Sequence, residues 1–114
     1  MAITGAHVVL HSPEPDALRS LLANILGSEG VDAGGGWPIY PLPPAEIAVH
    51  PSDGAKHEFT FMCDDLTATM AELAAKGVEY ADEPKDEGWG VVVTMALPGG
   101  LKALLYEPRH PTAL

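Results

Sequence analysis

Residues 57–80, HEFTFMCDDLTATMAELAAKGVEY, decide the fold. Phe59, Phe61 and Cys63 alternate with Glu58, Thr60 and Met62, the period-two pattern of a half-buried strand. Asp64 or Asp65 then caps a helix from Leu66 to Lys76, because a short carboxylate can accept the free N–H groups of the first turn. Leu66, Met70, Leu73 and Ala74 form its apolar stripe, and Gly77 closes it. Three more strand candidates follow, VEYADEP (78–84), WGVVVTMAL (89–97) and LKALLYEP (101–108), separated by Lys85–Gly88 and Pro98–Gly100. Strand, helix and three strands make a βαβββ unit.

The residues upstream repeat that order. AHVVLHS (6–12) reads as a strand ended by Pro13 and Pro15, and Asp16 can cap a helix running to about Leu26. Leu18, Leu21, Leu22 and Ile25 share one helical face, and Gly27 is the stop. Three short strands are predicted over about 29–33, 36–42 and 45–50, with turns at Gly34–Gly36 and Pro43–Pro44. Both halves open near a histidine (His7, His57) and continue with Gly-Val-acid (Gly30-Val31-Asp32, Gly77-Val78-Glu79), a Gly-Trp (Trp37, Trp89) and a Leu-Pro turn (Leu42-Pro43, Leu97-Pro98). An ordered set of echoes points to a duplicated unit. The expected fold class is α+β, one domain over 1–114, with module one at about 5–51 and module two at about 56–108. Curved mixed sheets of this kind can enclose a cavity.

Composition narrows the function. At 46% apolar residues the chain can bury a core, and 16 acidic against 6 basic side chains give a net charge of -10. Such a surface repels phosphate backbones and anionic lipid heads, which argues against nucleic-acid and membrane partners. No apolar run approaches the roughly 18 residues that span a bilayer. MAITGAHVVLHSPEP shows no basic-then-apolar signal peptide. Cys63 is the single cysteine, so no internal disulfide forms, the cytoplasm is the default compartment, and Cys63 reads as a core residue.

Strand alternation sorts side chains between helix and cavity. Val8 and Leu10, Ala45, Ile47 and Val49, and Phe59, Phe61 and Cys63 are expected on the helix side. His7, Val9 and His11, then Glu46, Ala48 and His50, then Glu58, Thr60 and Met62 are left for the cavity. Imidazole and carboxyl groups from three distant stretches thereby converge. Trp37, Tyr40, Trp89 and Tyr106 either line the cavity and stack on a planar ligand or serve as core or dimer contacts. Gly34–Gly36 is a turn, with no phosphate-loop lysine around it, and His110 is expected to be exposed. No Gly-x-Ser-x-Gly elbow or Cys/His pairing supports hydrolase chemistry.

HVVL, the helix ending in ILG, AEIAVHP, the 57–80 segment and the LPGG turn before LKALLYEP together resemble the vicinal oxygen chelate superfamily. That superfamily holds glyoxalase I, extradiol dioxygenases, fosfomycin-resistance enzymes and bleomycin-binding proteins. The resemblance covers nearly the whole chain and implies the fold more firmly than any one activity. It implies one divalent ion (Fe, Mn, Ni or Zn) in metal-using members, held by His and Glu at the opening and closing strands of each module. By position, His7 matches the first ligand and Glu46 the closing strand of module one. The usual His position of module two falls on Glu58, with His57 one residue early. The usual Glu position falls on Leu104, with Glu107 three residues late and, by parity, on the opposite face. The implied sets are His7, Glu46 and Glu58, or a shifted set drawing on His57 and Glu107.

Two functions follow as expectations. One is a metal-dependent enzyme, a lyase, isomerase or dioxygenase, acting on a vicinal-oxygen substrate with Glu46 or Glu58 as proton-moving catalytic residues and His11, His50 and the aromatic residues contacting ligand. The other is a metal-free protein that sequesters a drug or metabolite, favoured by Leu104 and by an acidic surface that would attract a cationic ligand. The resemblance implies a homodimer in either case.

Overall fold

The computed structural model describes residues 7–113, so Gly5 and Ala6 at the predicted start of module one lie outside it. Its elements are α1 (Pro15–Leu26), β1 (Val31–Asp32), β2 (Pro38–Ile39), β3 (Thr60–Met62), α2 (Leu66–Ala75), β4 (Glu79–Tyr80), β5 (Lys85–Asp86), β6 (Gly90–Leu97) and β7 (Leu101–Pro108). The elements from β3 onward form one mixed sheet with α2. β6 and β7 make a long antiparallel hairpin, β3 lies parallel on the outer side of β7, and β4 and β5 pair with β6, giving a mixed sheet in the order β3-β7-β6-β4.

Both helices pack on one face of this sheet. Leu18 and Leu21 of α1 and Leu66 of α2 join Val78, Val93, Met95, Leu97, Ala103 and Leu105 in the core. The odd positions of β6 and β7 are thus turned to the helices. The even ones, Val92, Thr94 and Ala96 on β6 and Leu104 and Tyr106 on β7, are only half-buried on the opposite, open face. β3 follows the same parity, because Thr60 lies beside Leu104 and Met62 beside Tyr106, while Phe59, Phe61 and Cys63 pack on the core.

The helix boundaries follow local chemistry. Asp65 caps α2 by accepting from the Ala68 N–H at 3.0 Å. Asp16 does not cap α1: Pro15 occupies the start, where its missing N–H costs nothing, and Asp16 sits in the first turn beside Arg19 at 3.4 Å. Gly27 ends α1 in the left-handed conformation at φ 65°. Just before α1, Ser12 Oγ donates to the Pro98 carbonyl at 2.8 Å and Glu14 accepts from the Gly99 N–H at 2.9 Å. Gly99 has φ +86°, and a Cβ there would run into Ser12, so glycine is required where the two halves of the chain meet.

The edge beside β6 is interrupted rather than turned. Lys85–Gly88 is not a plain separator, because Lys85–Asp86 pairs with Val92 and Val91. Between β4 and β5 the edge chain carries Ala81 to Pro84 opposite only Val93 and Thr94, a bulge. Asp82 fills it, its carboxylate accepting from the Thr94 N–H at 2.8 Å and the Thr94 hydroxyl at 2.7 Å. These bonds, the backbone one foremost, hold the Asp82 carboxyl below its ordinary value of 3.8. A depressed carboxyl stabilises the fold above its unfolded pKa and loses that contribution as pH falls through the folded one. Melting temperature should therefore drop more steeply below about pH 4 in the native protein than in Asp82→Asn, whose amide does not titrate.

Module one departs from the expectation. Its strands shorten to Val31–Asp32 and Pro38–Ile39, paired antiparallel around the Gly34–Gly36 turn, where Asp32 accepts from the Gly34 and Gly36 N–H groups. Among the described residues, 7–12 and 45–50 form no strand. Val8, Ala45, Ile47 and Val49 do not face a helix: Ile47 is 95% and Val49 93% exposed, and Val8 is exposed as well. Leu10 alone of that predicted inward set packs against the core. Pro43, Pro44 and Pro51, which carry no N–H of their own, bracket the second segment, and among the described residues no strand pairs with it.

Candidate functional site

The site is the open face of β3, β7 and β6. β7 supplies Lys102, Leu104 and Tyr106, spaced two apart so that all three project to that side. β6 sets Thr94 beside Leu104 and Val92 beside Tyr106; β3 sets Thr60 and Met62 on the other flank. A hollow of about 310 Å³ opens at the start of β3, lined by His57, Glu58, Phe59, Thr94, Lys102, Ala103 and Leu104. A larger one of about 430 Å³ lies over the β1–β2 hairpin, lined by Ser28, Gly30, Val31, Ala33, Ile39, Tyr40 and Pro41. The smaller hollow is the chemically equipped one, since it gathers an imidazole, a carboxylate, an ammonium and a hydroxyl, whereas the larger is walled mainly by apolar and backbone groups.

The far end of the same face is aromatic. Trp89 meets Tyr106 edge-to-face with centroids 5.7 Å apart, and His110 stacks on Tyr106 at 6.1 Å and 25°. Burial, with a smaller push from the Glu46 charge, raises the Tyr106 phenol above its ordinary value. Glu46 is half-buried and accepts a hydrogen bond from the Ala113 N–H.

The predicted site residues divide among these surroundings. Tyr106 and Trp89 stand on the open face and at its rim. Trp37 and Tyr40 belong instead with α1 and the hairpin, Trp37 under the Arg19 guanidinium at 5.6 Å and Tyr40 donating to the Arg19 carbonyl at 3.2 Å. His57 and Glu58 line the smaller hollow and are themselves exposed. His7, His11 and His50 are exposed, in segments that form no strand. Glu107 lies on the helix side with Leu105, as its parity required, and its Oε1 accepts from the Leu66 N–H at 3.0 Å. It is a long-range cap for α2. Glu107→Ala should cost about 1–2 kcal/mol of stability, read by denaturant unfolding, with ligand affinity unchanged.

Glu107 is committed to α2, Leu104 stands where the resemblance implies a carboxylate, and Glu46 is tied to the C-terminal segment. Among the described residues no three His, Cys, Asp or Glu side chains converge on a point that could hold a metal ion. The donors as placed in the single chain do not make a coordination set. Cys63 is half-buried beside the core, with its thiol 3.6 Å from the Tyr106 carbonyl, and burial raises its pKa, which favours the unreactive thiol over the thiolate.

Sequence reasoning passed over Lys102, Thr94 and the ring contact of His110. Lys102 and Thr94 were recoverable, because they share parity with Leu104 along the LKALLYEP and WGVVVTMAL strands.

Comparison with known proteins places the chain. The model of the Glyoxalase/Bleomycin resistance protein/Dioxygenase superfamily matches residues 5–109, and the chain belongs to that superfamily. Among solved structures it is similar to TnmS3, an antibiotic binding protein from Streptomyces sp. CB03234, at 21% identity and a TM-score of 0.57, over 95% of this chain and 98% of that one. It is also similar to a glyoxalase / bleomycin resistance protein from Catenulispora acidiphila DSM 44928, at 20% identity and a TM-score of 0.50, over 83% of this chain and 89% of that one. A search of curated proteins found no match. No helix among the described residues is long and apolar enough to cross a membrane.

Proposed function

We propose that the protein binds a small organic molecule on the open face of β3, β7 and β6 and sequesters it without a metal ion. The observation that carries this reading is the face itself. Leu104 stands at its centre between Thr60 and Thr94, with Lys102 and Tyr106 on either side, while the carboxylate nearest in sequence, Glu107, is turned to the helices. An apolar centre with a few convergent polar groups suits ligand binding. The antibiotic-binding function of the TnmS3 structure supports the same class. The test is a thermal-shift screen of protein made without a histidine tag, in chelator, against cationic glycopeptides and planar natural products. Stabilisation by at least one compound is expected, and uniform silence would overturn the reading.

A second reading, a metal-dependent enzyme, is favoured by one observation: His57 and Glu58 together at the rim of the smaller hollow, beside Lys102. It requires His7 and Glu46 to be carried to the same point. A homodimer is part of our proposal, because Val9, Ile47 and Val49 carry apolar side chains into solvent in the single chain, and among the described residues β3 is a sheet edge with one side unpaired. A second copy offers the same strand pattern in return, as two-fold pairing demands. Ile47→Glu with Val49→Glu should convert a dimer to a monomer in light scattering; an unchanged mass would remove this segment from the interface.

A further inference from the structure

The segment that follows β7 makes two contacts that together look like those of a ligand. His110 lays a planar ring on Tyr106, 6.1 Å away and nearly parallel, within the aromatic corner that Trp89 completes. Its Nδ1 lies 2.8 Å from the Pro111 carbonyl, which holds the ring in place. Three residues on, the Ala113 N–H donates to the Glu46 carboxylate. The root of the segment is fixed, since the Arg109 N–H donates to the Trp89 carbonyl at 2.9 Å and the Arg109 guanidinium pairs with Asp86 at 2.7 Å. The stretch beyond it lies exposed on the surface.

We propose that residues 110–113 occupy a ligand subsite formed by Trp89, Tyr106 and Glu46, and that this subsite takes a planar aromatic ring bearing a cationic N–H group, such as an amidinium or a protonated ring amine. The proposal rests on the open-face binding reading and names the ligand chemistry of one end of that face. Tyr106 and Trp89 offer π-surface to a ring, and a cation over such rings gains from their quadrupoles. Glu46 offers a carboxylate that now accepts from a neutral amide; a charged N–H donor would make a stronger bond there. The segment contributes one ring and one uncharged backbone N–H, so a ligand that supplies a ring together with a charged N–H donor competes with it for the same two contacts. With a net charge of -10, the molecule also favours a cation at long range.

The test uses the full chain and three near-isosteric probes: benzamidine, benzamide and benzoate. Binding is read by NMR at the Trp89 indole N–H and the Ala113 amide, beside the amides of Thr60, Thr94 and Leu104. Benzamidine should move the Trp89 and Ala113 signals and bind at least tenfold tighter than benzoate. Glu46→Gln should shrink the preference for benzamidine over benzamide to under twofold. His110→Ala, which removes the resident ring, should tighten benzamidine binding several-fold. Equal binding of benzamidine and benzoate, unmoved Trp89 and Ala113 signals, or weaker binding in His110→Ala would each overturn the proposal. If benzamidine moves only Thr60, Thr94 and Leu104, the open-face reading survives and the subsite alone fails. If neither these probes nor the wider ligand panel moves any open-face residue, both fail.

Discussion

Leu105→Ala should lower the unfolding free energy by about 3 kcal/mol, the middle of the range for leucine truncation in a well-packed core. Leu105 is 1% exposed, sits in the middle of the sheet between β3 and β6, and packs among Val93, Met95 and the helix leucines. Val93 and Met95 beside it are themselves buried, so the gap left by the truncation closes only in part. For a domain of this size the melting temperature should fall by on the order of 10 °C. Chemical denaturation with an unchanged m-value checks it, since the mutation shortens a side chain without altering how much surface unfolding exposes.

Leu104→Arg, one residue away, should do the opposite. Its side chain lies on the open face between Thr60 and Thr94, so a longer cationic chain can run along the surface with its head in water. Stability should change by less than about 1 kcal/mol, in keeping with a partly exposed position. Ligand affinity should fall at least tenfold, because the guanidinium fills the centre of the face and adds positive charge where an acidic molecule would draw cations. The pair separates fold from function by a step of one along β7. Should Leu104→Arg unfold the protein while Leu105→Ala leaves it intact, the parity assigned to β7 would be inverted.

Module two was legible because its partners are near in sequence and its alternation is clean. Phe59, Phe61 and Cys63 pack on the core as their spacing required, and LKALLYEP pairs along its whole length with GVVVTMAL (90–97). The same arithmetic placed Glu107 away from the open face; the structure adds its destination, the first turn of α2. Module one was less legible for a physical reason. Period-two alternation assigns a face to a side chain but supplies no neighbouring strand, and Ile47 and Val49 alternate as well as Phe59 and Phe61 do. Lys85–Asp86 read as a turn because its charges and the following glycine mask a two-residue edge pairing across a bulge. The contacts of His110 and Ala113 were out of reach, since they depend on where Glu46 and Tyr106 meet in space.

The central claim is that an apolar, metal-free strip along β7 receives the ligand. Its most direct test is an NMR titration of the labelled full chain, in excess chelator, with whichever compound the thermal screen selects. The expected result is saturable movement of the Thr60, Thr94, Leu104 and Tyr106 signals, unaltered when Fe(II), Mn(II), Ni(II) or Zn(II) replaces the chelator. Binding that appears only with a divalent ion, or movement confined to the β1–β2 hairpin around Val31 and Tyr40, would contradict it.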